Sequence, residues 1–528
     1  MKSKKKAINL IRIFALIAAT ALLVLSTVGC KEGEPADTIN VVKEGADPKG
    51  EEDCTDILQA VHEKAAAEGK AVYYPNGTYR YNGEYLNLSS GVKFQSIEGV
   101  MLKNDISEHN LFQHDDLGNF IGLIQNPLEK DESDLGGDEY SSGYLMNPPL
   151  FNKTYIRKVK DVIAWWYNDF GLECTRTKST GWIGWYYWTW NHHNCQEKMG
   201  SMAAGGGDPY DASRHPLLGF YKGDDPVVQD WITYWMLEYG INTVGLLSVT
   251  PPYSSENYTF EDPGHRDHWI YQWLENCPNS KNMKYFLCPE VYWGLDRSET
   301  DRERNATYIL RMIDKTYGQY PDNVYTVTYK GKEYPVIFFK EEGAVLDTYD
   351  NAQQEAVNTL AFYKRISDKC KSLGWPGVAI MASTSASIAY FDTFPEKLEE
   401  IDVIRFYGRY GSTHTSEKAE TMQEMADRFK ATSNNTFPNT VAGLMIAKET
   451  HSPHQSGFKV TGHSPQVLGN YLDKVLEAVE GNDIGLYDAI SIHNVSEWAE
   501  CGPGLIPNMK DRFAYLQMIK NKVVVGEE

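Results

Sequence analysis

From about residue 181 onward the chain repeats one pattern: a short apolar run rich in β-branched and aromatic residues, then an amphipathic stretch of helical length. The strand candidates are Ile183–Trp188, Asn242–Ser248, Lys284–Pro289, Pro335–Phe339, Gly377–Ala382, Asp402–Tyr407, Val441–Ala447 and Ala489–His493. The helix candidates are Pro226–Tyr239, Arg266–Leu274, Arg302–Tyr317, Ala352–Leu373, Glu417–Phe429, Gln466–Val479 and Lys510–Lys520. Near-continuous apolar strands suit a parallel sheet whose outer face is covered by helices. Eight such units predict an α/β chain whose residues 181–524 close into a (β/α)8 TIM barrel with insertions. A doubly wound sheet gives no reason for eight repeats, and no Gly-x-Gly-x-x-Gly opens a helix.

A barrel turns its strand ends into a map, because its chemistry collects where the strands finish. The first predicted strand is followed by Trp188, Trp190, His192 and His193, the second by Thr250 and the third by Glu290. Lys340 and Glu341 follow the fourth, Ser383 the fifth, and Arg405 and Tyr407 lie around the sixth. Lys448 and Glu449 follow the seventh; His493, Glu497 and Glu500 follow the eighth. For each, a structural salt bridge or loop hydrogen bond competes with a functional role.

The last strand end is the most informative: Asp488-Ala-Ile-Ser-Ile-His-Asn-Val-Ser-Glu497-Trp498-Ala-Glu500-Cys-Gly-Pro-Gly. Two carboxylates stand three residues apart, with Trp498 between them. Glycoside cleavage commonly uses two carboxyl groups, one ionised and one protonated, beside one sugar. An aromatic wall raises the pKa of one and offers a stacking face. Glu-x-x-Glu is also common on solvated helix faces, so position rather than spacing carries the weight.

After Met1 the chain reads Lys-Ser-Lys-Lys-Lys, then an apolar stretch from Ala7 to Val28, then Gly29-Cys30. This is the pattern of a lipoprotein export signal over 1–29, with Cys30 as the lipidated N-terminus; an uncleaved anchor helix is the alternative. Either way the expected location is the bacterial cell envelope, outside the cytoplasm. Loss of 1–29 removes five basic residues and no acidic one, moving the formal charge from −21 to −26. Such a surface disfavours nucleic acid and anionic lipid but not a neutral glycan. The 13 Trp and 34 Tyr suit sugar stacking and large cores equally. Beyond Cys30 the cysteines are 54, 174, 195, 277, 288, 370 and 501. An odd number without Cys-x-x-Cys argues against a dense disulfide framework or a zinc knuckle. His451, His454 and His463 fit no usual ligand spacing, so no metal or other cofactor is expected. A monomer is expected.

Residues 30–38 read as a tether. The block 39–105 runs Ile39-Asn-Val-Val, Gly45-Ala-Asp-Pro-Lys-Gly, a helix over Thr55–Gly69, then Ala71-Val-Tyr-Tyr-Pro-Asn-Gly-Thr-Tyr79. Through Asp47 to Asp53 and Pro75-Asn-Gly-Thr-Tyr79 it resembles the N-terminal cap of pectate-lyase-type β-helices. It is read as a small β-rich accessory module, without a lyase's catalytic set and without further coils. Residues 106–180 are read as a connecting region, with Ile156–Phe170 as a helix bearing an aromatic face and Asp131 to Ser142 as a loop.

Three segments resemble glycoside hydrolase family 99, the endo-α-mannosidase type. They are Trp185-Tyr-Tyr-Trp-Thr-Trp-Asn-His-His193, then His215-Pro-Leu-Leu-Gly-Phe-Tyr221-Lys-Gly-Asp-Asp225-Pro leading to Val244–Pro252, and Ser496-Glu497-Trp-Ala-Glu500. The resemblance implies cleavage of internal α-mannoside-like linkages with retention. Glu497 would deprotonate the sugar's 2-hydroxyl to give a 1,2-anhydro sugar, and Glu500 would protonate the leaving oxygen and later activate water. Tyr221 would donate to the sugar, and Asp225, Trp188, Trp190, His193, Glu290, Tyr407 and Trp498 would line its site. The family's last motif usually reads Asn-Glu-Trp-His-Glu-Gly; Ser496, Ala499 and Cys501 depart from it. The departure keeps a second reading open, a non-catalytic glycan-binding lipoprotein on the same scaffold. Pectin recognition through 39–105 is a third.

Overall fold

The computed structural model describes residues 37–81, 93–95, 100–104, 112–123, 144–166, 168, 170–171, 183–184, 217–218, 221, 223–249, 267–290, 299–341, 352–384, 396–408, 440–445, 465–480, 489–493, 495, 505–508 and 511–528. It divides into two compact units, Met1–Phe112 and Gln113–Glu528.

The first unit holds two parallel three-stranded sheets. One orders Thr38–Asn40, Ala71–Tyr73 and Lys93–Gln95; the other orders Lys49–Asp53, Gly77–Tyr81 and Val100–Asn104. The chain visits the sheets alternately, so each pass adds one strand to both. Helix Thr55–Glu68 buries Leu58, Val61 and Ala65 with Ile39, Val72, Tyr74 and Tyr79. Asp47 folds the first turn: Oδ1 accepts from Lys49 N at 3.0 Å, and Oδ2 accepts from Glu51 N and Glu52 N at 2.8 and 3.1 Å. Gly77 is required by proximity, since a Cβ there would stand 2.5 Å from Pro48 O. The two motifs of the sequence resemblance, around Asp47 and around Gly77, therefore meet on successive passes.

The second unit is built on parallel strands β1 (Asp161–Trp166), β2 (Thr243–Val249), β3 (Lys284–Glu290), β4 (Lys332–Glu341), β5 (Val378–Thr384), β6 (Val403–Gly408), β7 (Thr440–Met445) and β8 (Ala489–His493). Each pairs with its successor, β3 meeting β4 at Leu287 and Ile337, and β8 pairs with β1. The curled sheet is TIM-like. The connecting helices include α1 (Pro226–Glu238), α2 (His268–Asn276), α3 (Glu299–Thr316), α4 (Ala352–Ser372), α5 (Pro465–Glu480) and α6 (Ala514–Val523). Seven strand predictions and six helix predictions match these elements to within a few residues; Glu417–Phe429 lies outside the described residues.

The first strand is a correction. It is Asp161–Trp166, within the stretch read as a helix, and not Ile183–Trp188. Of the latter only Ile183–Gly184 is described as strand, paired in parallel with Phe170–Gly171. The region read as connecting thus supplies the strand between β2 and β8. All six residues of β1 are buried, so no polar face exists to reveal a period of two.

Inside the sheet, Ile163, Trp165, Leu247, Phe286, Phe338, Met381 and Phe406 form one buried cluster. Trp165 sits 4.3 Å from Phe338 and 5.4 Å, edge-on, from Phe286, measured between ring centroids. Its register partner Gly245 makes the room: a Cβ there would lie 2.9 Å from Trp165, Phe286 and Cys288. At the strands' N-terminal end, a hairpin pairs Thr326–Tyr329 with the start of β4 and adds Tyr325, Val327 and Tyr334 to this cluster. Tyr325 OH donates to Asp161 Oδ2 at 3.2 Å. Outside the sheet, Trp166, Trp231, Trp235, Trp269 and Trp273 anchor the larger helix-facing core. Each such ring removes roughly 150–250 Å² from water. Much of the Trp content is therefore structural.

Candidate functional site

The C-terminal edge of the sheet is assembled by backbone register. Val249 stands beside Glu290, Glu341 beside Thr384, and His493 between Met445 and Trp165. Glu290 closes β3 and Tyr407 lies one residue before the end of β6, so both positions fall on the edge predicted for them. Trp188, Trp190, His192, His193, Thr250, Lys448, Glu449, Glu497, Trp498 and Glu500 lie outside the described residues, as do Cys30 and the three histidines 451, 454 and 463.

The segment bearing the two carboxylates is nevertheless tied down at both ends. Val495 N donates to Trp165 O at 2.7 Å, and Leu505 N donates to Val495 O at 3.0 Å. The chain therefore leaves and returns at one point beside the end of β1, and residues 496–504 span between. Val495, Leu505 and Ile506 are buried there with Leu217 and Leu218. Leu217 N donates to Pro507 O at 2.9 Å. Leu217 and Leu218 on one side and Val495 and 505–507 on the other, far apart in sequence, are thus held in one corner.

Tyr221 belongs to this corner, but its ring is fully enclosed in the outer core. Asp225 caps α1: its Oδ1 accepts from Val227 N at 2.9 Å, with Pro226 in the first helical turn. Pro after Asp was a sequence-level signal for that capping role. Just past β1, Asn168 Nδ2 donates to Gly223 O at 2.5 Å, and Gln229 Nε2 donates to the same carbonyl at 2.8 Å. Near the end of β2, Ser248 Oγ donates to Asp267 Oδ2 at 2.8 Å, and Tyr308 OH donates to the same oxygen. That carboxylate, 1% exposed, fastens the start of α2 to β2 and α3. Sequence reading missed Trp165, Trp166 and Asn168 because it began the sheet one segment late; Trp-Trp-Tyr-Asn directly after Val-Ile-Ala was the available signal.

Burial raises Asp230, on α1, to about 6, against the pull of its hydrogen bonds from Asn279. Burial also raises the thiol of Cys277. Among the described cysteines, 54, 277, 288 and 370 are free thiols, all buried. Among the described residues no group of His, Cys, Asp or Glu has the arrangement of a metal site, and no helix is long and apolar enough to cross a membrane.

No protein-family model matches the chain, and no curated protein does. Among solved structures it is similar to the GH99 endo-α-mannosidase from Bacteroides thetaiotaomicron, at 13% identity over 68% of this chain and 95% of that one, with a TM-score of 0.39. A structure described as a glycoside hydrolase-like protein is similar at 11% identity, over 72% of this chain and 98% of that one, with a TM-score of 0.44. An exo-β-1,4-mannosidase from Opitutaceae bacterium strain TAV5 is similar at 11% identity, over 71% and 61%, with a TM-score of 0.39. At these scores the likenesses say nothing of what this chain acts on.

Proposed function

We propose that this chain is a glycoside hydrolase acting on a polysaccharide or oligosaccharide, built on a complete (β/α)8 barrel. The observation that carries the reading is the shared corner: Leu217 and Gly223, together with Val495 and Leu505, which flank Glu497 and Glu500 in sequence, are all held near the end of β1. The run of strand pairings from β1 round to β8 and back to β1 supports the closed barrel.

The finer reading is endo-cleavage of α-mannoside-like linkages with retention, through a 1,2-anhydro sugar. It rests on the sequence resemblance and on a stereochemical requirement: O2 must lie trans to the leaving group, as it does in α-mannosides. Glu497 takes the O2 proton as O2 displaces the leaving group at C1, and Glu500 gives the leaving oxygen a proton; water then opens the anhydro ring at C1, giving a proton to Glu500 while Glu497 returns one to O2. Product analysis on a panel of α-mannan oligosaccharides tests this. Glu500→Gln is expected to lower turnover by about two to four decades, with Glu497→Gln similarly impaired; undiminished release by Glu500→Gln would overturn the assignment.

Ser496 and Ala499 favour the second reading, a glycan-binding protein without turnover. Retained binding with no released sugar across the panel would establish it. Both readings place the protein on the bacterial envelope through a lipid at Cys30, and Cys30→Ala is expected to move it from the membrane fraction to the soluble one.

A further inference from the structure

Among the described residues, the corner contains a fully buried acceptor that no described group satisfies. Asn168 is 0% exposed and lies two residues beyond the end of β1. Its Nδ2 donates to Gly223 O. A carbonyl only accepts, so this bond fixes the amide with its nitrogen toward Gly223 and its oxygen on the other arm. The same carbonyl also takes a hydrogen from Gln229 Nε2, which reaches Trp269 O at 2.8 Å as well. The amide of Asn168 is therefore held in one orientation, and Asn168 Oδ1 accepts no hydrogen bond from any described residue. Gln229 differs, since its Oε1 accepts from Cys277 Sγ at 3.6 Å.

An open buried acceptor is destabilising, and native proteins pair nearly all of them. This one stands at the C-terminal edge of a parallel sheet, where barrel sites gather. It shares its corner with the roots of both candidate segments.

We propose that Asn168 Oδ1 is the acceptor for a hydroxyl of the bound sugar and selects for that hydroxyl. The ligand class, a neutral carbohydrate, rests on the reading above. A fixed amide with its oxygen open accepts an O–H and gives nothing to a deoxy position. Such a site discriminates against the analogue lacking the hydroxyl, because the acceptor is then left buried and unpaired.

The test uses the mature full-length chain on an array of neutral oligosaccharides not limited to mannosides, followed by titration calorimetry with the glycan retained most strongly. Asn168→Leu is expected to weaken that glycan roughly threefold to tenfold. Gln229→Leu, which loses a bond to the same carbonyl but no open acceptor, is expected to lower the melting temperature while leaving affinity unchanged. A crystal structure of the unsubstituted protein with that glycan settles the point even if Asn168→Leu fails to fold. A sugar oxygen within hydrogen-bond distance of Oδ1 supports the proposal; a resident water there, with the sugar elsewhere, overturns it. Loss of a non-mannoside ligand in Asn168→Leu would sustain this inference and end the mannoside reading. Hydrolysis of α-mannosides with affinity untouched by Asn168→Leu would do the reverse. An array on which the unsubstituted protein retains nothing would overturn both.

Discussion

Val495 N donates to Trp165 O at 2.7 Å, joining the chain just past the last strand to the first strand of the same sheet. Trp165 is also among the largest residues inside the sheet. One residue therefore fills the interior with its side chain and anchors the carboxylate-bearing segment with its backbone. Packing inside the sheet and the anchoring of Val495 are coupled through it.

The amides of Val495, Leu505 and Leu217 should accordingly exchange slowly. Each donates to a buried backbone carbonyl at the shared corner, and such bonds open only with local unfolding. Hydrogen exchange resolved to single residues checks this. Exchange at these three positions as fast as in an unfolded peptide would show that the two segments are not rooted together.

Gly245→Ala should destabilise the second unit by about 1–3 kcal/mol, the usual cost of overpacking. Its Cβ would meet Trp165, Phe286 and Cys288 at 2.9 Å, all side chains held by a dense interior. Denaturant unfolding is the measurement. Because Trp165 must shift, activity should fall by more than Gly240→Ala produces, although that Cβ would also meet Val524 closely, at 2.7 Å. Equal stability of Gly245→Ala and the unsubstituted protein would mean the interior is looser than described.

Seven of the eight strands were legible because their apolar runs are short and bounded by turn residues. β1 was not. Val162 to Trp166 is buried on both sides, and the aromatics from Ile156 to Phe170 fall at spacings a helix would also satisfy. Misplacing that strand hid Asn168, while Trp188 and Trp190 lie outside the described residues. The Glu497 segment could be found from sequence because it directly follows an unmistakable strand. Its two anchoring hydrogen bonds could not, since backbone donors carry no residue signature. Tyr221 shows the converse: the motif was visible, but burial of its ring is a property of packing.

Glu238 should be a stability centre remote from the site. It is 1% exposed, and its Oε1 accepts from Lys153 Nζ at 2.5 Å, Tyr155 OH at 2.9 Å and Lys520 Nζ at 3.1 Å. Burial opposes ionisation here, but those three donors outweigh it and hold the carboxyl below its ordinary range. The lysines are partly exposed, so solvent screens each pair. Lys520→Met is expected to cost about 1 kcal/mol. Glu238→Ala, which removes the acceptor shared by Lys153, Tyr155 and Lys520 and leaves only the bond from Lys520 Nζ to Tyr155 OH at 2.9 Å, is expected to cost about 2–3 kcal/mol. Unfolding midpoints decide, and a larger loss for Lys520→Met than for Glu238→Ala would refute the arrangement. Activity per folded molecule should be unchanged in both.

The two units should respond to acid in opposite directions. His62, in the first unit, hydrogen-bonds through Nε2 with Tyr74 OH at 2.7 Å, and burial lowers its pKa to about 3. The unfolded chain takes up that proton below about 6.5. Stability is therefore lost as pH falls through 6.5, amounting to about 2 kcal/mol by pH 5. Asp230, in the second unit, has its pKa raised to about 6, above an unfolded value near 3.9. The folded state binds the proton first, so the second unit gains stability as pH falls from above 6 toward 4, about 1 kcal/mol by pH 5. Hydrogen exchange at pH 7.5 and pH 5, corrected for intrinsic rates, reads each unit separately. Protection should fall in the helix Thr55–Glu68 and rise in α1. His62→Gln should flatten the first response and Asp230→Asn the second. If both units lose protection together, and Asp230→Asn leaves the α1 response as it was, the proton bound on folding does not reside on Asp230.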